Sequence, residues 1–94
     1  MTFTFYYDAG HGWLEVSKDA LHTVGLTEGD FSSYSYKNSE NLYLEEDCDA
    51  YIFVQSWETK HGDIKVKRRD EGYNSPIREL SRIEPARELE TISF

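Results

Sequence analysis

The chain predicts an α+β domain: a small antiparallel sheet of about four or five strands carrying its helices mainly on one face, in the order β-β-α-β-β-α-β-α. Three observations carry that prediction. The opening TFTFYY alternates Thr2, Thr4 and Tyr6 with Phe3, Phe5 and Tyr7, the two-residue period of a strand. Ala50, Phe53, Val54 and Trp57 fall at i, i+3, i+4 and i+7, the stripe of an amphipathic helix. Turn residues and caps separate every periodic stretch from the next.

The elements follow in order. DAGHG at 8–12 has turn chemistry and WLEV follows as a second strand, so the first two strands form a hairpin with the phenylalanine face buried. SKDALHTVGL is a short helix with both ends signed: Ser17 can accept from the free amides, Val16 and Leu21 have staple spacing, and Gly25 is a left-handed stop with Leu26 folding back on Leu21. Strands around residues 33–36 and 42–44, joined by KNSEN, make a second hairpin. The main helix is expected from Asp47, its cap, to near Gly62. In DIKVKRR, Ile64 and Val66 alternate with Lys65, Lys67 and Arg69, a strand with one wet, basic face. Ser75 and Pro76 open a last short helix through Ile77 and Leu80. The tail, from 84 to 94, begins with a proline break and ends apolar. The whole, 1–94, reads as one domain.

Composition bounds the function. Apolar residues at 38%, with seven Tyr and five Phe, supply a core, so the chain does not read as disordered. One cysteine is too few for an internal disulfide or a cysteine zinc site, which points to a reducing, cytoplasmic setting. Neither a signal peptide nor a membrane-spanning run is expected. Residues 1–63 hold twelve acids against three bases and residues 64–94 six against seven, which gives the total of −8. That imbalance argues against direct nucleic-acid binding and permits a cationic partner.

Three groups of residues bear chemistry. Glu45, Glu46, Asp47 and Asp49 surround Cys48 at the start of the main helix, where free amides and the helix dipole favour acids without any ligand. A hard cation needs several convergent oxygens, and no Asx-x-Asx-x-Asx-Gly loop is present, so capping is preferred and no metal or cofactor is assigned. The crowd of acids also disfavours a Cys48 thiolate. Asp8 and His11, on a glycine-bearing loop, could act as an acid/base pair; the plainer reading has Asp8 bonding its own backbone and His11 in solvent. Lys65, Lys67 and Arg69, joined by Arg78 near the Ser75 turn, could hold phosphate, or could simply guard a strand edge. His22 and His61 read as surface residues.

The segments GHGWLEV, SYSY, YLEEDCDA and SPIR, in that order over about residues 8–78, resemble a family of short bacterial, phage and plasmid proteins, with LEEDCDA the most specific part. The resemblance implies a setting, mobile elements and their hosts, and supplies no mechanism. The leading functional expectation is a non-enzymatic binding protein or inhibitor that offers Glu40, Glu45, Glu46, Asp47, Asp49 and Glu58 to a basic protein surface, in the manner of a nucleic-acid mimic. The alternative is a small-ligand or nucleotide-phosphate binder using His11, Lys65, Lys67 and Arg78. A small hydrolase built on Asp8 and His11 ranks last, since no nucleophile stands beside them.

Overall fold

A computed structural model describes residues 1–84. Of the tail, residues 85–94 lie outside the described residues, and with them its proline break and apolar end. The described chain is α+β: β1 (Thr2–Tyr7), β2 (Gly12–Ser17), α1 (Lys18–Thr23), a 3-10 turn (Glu28–Asp30), β3 (Tyr36–Lys37), β4 (Asn41–Glu45), α2 (Ala50–His61), β5 (Lys65–Asp70), a second 3-10 turn (Pro76–Glu79) and β6 (Ser81–Arg82). The six strands form one sheet in the order β5-β1-β2-β4-β3-β6.

The first hairpin forms as its alternation requires, with Tyr6 opposite Trp13 and Phe5 opposite Leu14. The register leaves no room beside the Phe5 ring: a Cβ on Gly12 would collide with it, so glycine is required there. Helix α1 carries the signalled caps. Ser17 Oγ accepts from Ala20 N at 3.1 Å. Gly25, at φ +76°, lets its own N–H reach His22 O and that of Leu26 reach Leu21 O, the paired bonds of a Schellman end.

Leu14, Val16, Leu42 and Leu44 from the sheet meet Leu21 of α1 and Phe53 of α2 in the main core, so both α-helices lie on one face. Phe3 sits edge-on to Phe53 and Trp57, with centroids 5.2 and 4.9 Å away. The opposite face carries a smaller cluster of Trp13, Tyr36, Tyr43 and Ile77, covered by the Pro76–Glu79 turn. Burial, reinforced by Glu15, pushes the Tyr43 hydroxyl up to about 12.

Four expectations are corrected. The sheet has six strands and is mixed, because β5 pairs parallel to β1 along six residue pairs. The cause is α2: twelve residues advance the chain about 18 Å, enough for a crossover from β4 to the far edge of the sheet. Helix α2 starts at Ala50 after Asp49, so Asp47 is not its cap. Ser33–Ser35 form no strand; β3 begins at Tyr36. The last helix is a single 3-10 turn capped by Ser75, whose Oγ accepts from Ile77 N at 3.2 Å, and the chain then adds β6 beside β3. Strand β5 is exposed along its whole length, with Val66 at 43%, so its apolar side covers little. None of the described helices is long and apolar enough to cross a membrane.

Candidate ligand-binding cavity

The site is built around Asp8. Its Oδ1 accepts from the backbone of Gly10 at 2.9 Å and of His11 at 3.0 Å, which folds the β1–β2 loop into a tight turn. Its Oδ2 accepts from Ser75 N at 2.9 Å. The Arg78 guanidinium then grips the same carboxylate from two nitrogens, Nε to Oδ2 at 2.7 Å and Nη2 to Oδ1 at 2.9 Å. Arg78 and these backbone donors hold the Asp8 carboxyl well below the usual carboxylate range, although burial opposes them. Arg78 in turn lies over the Trp13 ring, 5.1 Å from its centroid.

The acid/base pairing of Asp8 with His11 is therefore not made. Asp8 touches the His11 backbone, while the imidazole turns to Glu45, with Nδ1 3.3 Å from Oε1. Sequence spacing put the two side chains on one loop; the carboxylate was taken by a cation from the far end of the chain.

Glu45 and Asp49 do not form part of an exposed acidic face, for both are buried. Glu45 Oε2 accepts from Asp47 N and Cys48 N, each at 2.9 Å, and so holds the turn that leads into α2. Asp49 accepts from Ser32 N, from Ser32 Oγ at 2.8 Å and from Ser35 Oγ. Ser35 Oγ itself accepts from Glu45 N at 2.9 Å, which makes Ser35 the link between two buried acids. Glu40, Glu46, Asp47 and Glu58 are exposed. They are spread over the β3–β4 turn, the approach to α2 and its last turns.

These contacts leave a cavity of about 210 Å³. Two aromatic–guanidinium pairs line it, Trp13 with Arg78 and Tyr36 with Arg82, whose guanidinium lies 5.0 Å from the Tyr36 centroid. His11, Glu45, Asp47 and Cys48 complete it, with the exposed Tyr34 at its edge. Arg82 Nη1 donates to Ser33 O at 2.9 Å. The indole N–H of Trp13 is buried and has no hydrogen-bond partner among the described residues. Burial, then Glu45, Asp49 and Asp47, push the Cys48 thiol up, which makes it a poor nucleophile.

His11, Glu45, Glu46 and Asp47 can each bring one ligand atom to within 4.8 Å of the others. Glu45 already spends both oxygens on backbone amides and His11, so capping accounts for the cluster without an ion. Lys65, Lys67 and Arg69 do not line the cavity with Arg78. They belong to the exposed edge strand, where Arg69 lies over Tyr6. His22 and His61 are exposed, as expected.

Sequence reasoning missed Trp13, Tyr36 and Arg82 as cavity residues. The missed signal was long-range: each of the four segments GHGW, SYSY, YLEEDCDA and SPIR sends at least one side chain to this one cavity. No protein-family model, curated protein or solved structure matches the chain.

Proposed function

We propose that the protein is a non-enzymatic binding protein that takes a small polar ligand in the cavity between Trp13, Tyr36, Glu45 and Arg82. The observation that carries this reading is the cavity itself, where two aromatic–guanidinium pairs, Trp13 with Arg78 and Tyr36 with Arg82, stand beside the carboxylates of Glu45 and Asp47. The same lining disfavours a phosphate group. Asp8 spends the charge of Arg78, the edge-strand lysines lie elsewhere, and Glu45 and Asp47 repel an anion. The test is a heteronuclear NMR titration of the full chain with a panel of small carboxylates, amines, amides and nucleotides. Ligands of the cavity move the Trp13 indole resonance and leave Trp57 in place, Trp57→Phe supplying the assignment. A panel that moves neither indole refutes the reading.

A second reading keeps the acidic surface as a docking face for a basic protein, supported by the exposure of Glu46 and Asp47 side by side. It now rests on Glu40, Glu46, Asp47 and Glu58 alone. Reversing Glu46 and Asp47 to lysine should then abolish capture of the partner, and capture should weaken as salt shortens the Debye length below about 8 Å.

A further inference from the structure

Building on the cavity reading above, we infer that the ligand is a small zwitterion: an amino-acid-like molecule carrying one carboxylate and one ammonium group. The argument is a charge balance over the groups that line the cavity. Among its cations, Arg78 is neutralised by the bidentate Asp8 carboxylate. Arg82 is different. It donates to a neutral carbonyl, Ser33 O, and no carboxylate of the described residues lies within 4.0 Å of it. Among the anions, Glu45 is engaged by two amides and the His11 ring. Asp47 is exposed and has no cationic partner among the described residues. Among the described residues, one cation and one anion without an ionic partner therefore line the same cavity.

A purely anionic ligand would satisfy Arg82 and bring its negative charge against Asp47 and Glu45. A purely cationic ligand would do the reverse. Each desolvates a charge of the wrong sign, which is how a site rejects the wrong partner. A zwitterion pairs both: its carboxylate accepts from Arg82 and its ammonium donates to Asp47. Size agrees. A cavity of about 210 Å³ has room for a ligand of amino-acid dimensions. The Trp13 and Tyr36 rings offer apolar contact for the ligand's carbon skeleton.

The experiment is the Trp13 indole titration with three matched series: free L-α-amino acids and γ-aminobutyrate, the same α-amino acids as N-acetyl derivatives, and the same as carboxamides. At least one zwitterion should saturate the Trp13 shift. Loss of either charge, through acetylation or amidation, should weaken binding roughly tenfold or more, as should Arg82→Gln and Asp47→Asn. Both substitutions fall on exposed residues, so the fold reports itself unchanged through the remaining amide resonances. Equal binding of the N-acetyl series makes the ligand a simple carboxylate, and equal binding of the carboxamides makes it a simple cation; either overturns the inference while the cavity reading stands. Saturation of the His11 and Glu45 resonances by Mg²⁺ or Zn²⁺ alone, with no response to any zwitterion, reassigns the acidic residues to a cation and overturns it as well. No response to the wider panel sinks the cavity reading itself.

Discussion

Arg78 and Asp8, seventy residues apart in sequence, meet in a two-pronged ion pair in which the carboxylate is fully buried and the guanidinium covers the Trp13 ring. The pair joins the β1–β2 loop to the Ser75–Arg78 turn and sets one edge of the cavity. Removing Arg78 leaves a buried carboxylate with only backbone donors. Arg78→Ala should therefore destabilise the fold by about 3 kcal/mol, the lower end for breaking a buried pair because Gly10, His11 and Ser75 still donate. Urea denaturation checks it. Arg78→Lys should recover only part of the loss, since an ammonium cannot reproduce the fork.

The same pair predicts how stability responds to acid. The folded Asp8 carboxyl is depressed below its ordinary value near 3.8, so its contribution is complete above that pH in the unfolded chain's terms and drains away as pH falls further, toward the folded value. Native stability measured from pH 6 down to pH 2 should drop more steeply in the wild type than in Asp8→Asn, which starts less stable and lacks this proton linkage. Parallel slopes would show that Asp8 is not held this way.

Much of the local structure was legible because its causes are local. The Phe3–Phe5 alternation, the Ser17 cap, the Gly25 stop and the Ala50–Trp57 stripe each depend on residues within one or two turns, and each appears in the fold. What escaped depends on partners far along the chain. Strand β5 gives no sign in KVKRRD that it will run parallel to β1, because the direction is imposed by the α2 crossover. The LEEDCD acids look alike in sequence, yet β4 alternation and the entry turn bury Glu45 and Asp49 and leave Glu46 and Asp47 in water. The pairings of Arg78 with Asp8 and of Ser35 with Asp49 close loops of 70 and 14 residues, which no periodicity encodes.

That sorting of acids is itself testable. Asp49 gathers Ser32 and Ser35 in the protein interior, whereas Asp47 makes no side-chain bond among the described residues. Asp49→Ala should cost about 3 kcal/mol or more, through two hydroxyls and an amide left unpaired, and Asp47→Ala no more than about 0.5 kcal/mol. Thermal unfolding of the two variants should rank them in that order. The reverse ranking would restore Asp47 as the cap.

Gly12 marks the closest approach in the first hairpin. A methyl group there would strike the Phe5 ring, which has Leu14 as its strand partner and Arg68 over its face. Gly12→Ala should lower stability by about 1 to 3 kcal/mol through overpacking. Shortening the ring in a Phe5→Leu background should return part of that loss, since the two changes share one space.

The single cysteine reports the electrostatics of the cavity. Burial and then the carboxylates of Glu45, Asp49 and Asp47 raise the Cys48 thiol, so little thiolate is present at neutral pH. Disulfide exchange with a chromogenic aromatic disulfide should therefore be slow at pH 7, and its rate should keep climbing with pH beyond about 8.5, where an ordinary thiol levels off. Asp47→Asn removes one charge without disturbing the bonds that hold the turn, and should shift the rate profile toward lower pH. Glu45→Gln should shift it further, because the Glu45 carboxylate raises the thiol more than Asp47 does. A saturating zwitterion with its ammonium beside Asp47 should move the profile in the same direction, through a nearby positive charge that favours thiolate. A wild-type thiol that reacts at pH 7 as fast as a free cysteine would contradict the acidic surroundings from which the ligand's ammonium group was inferred.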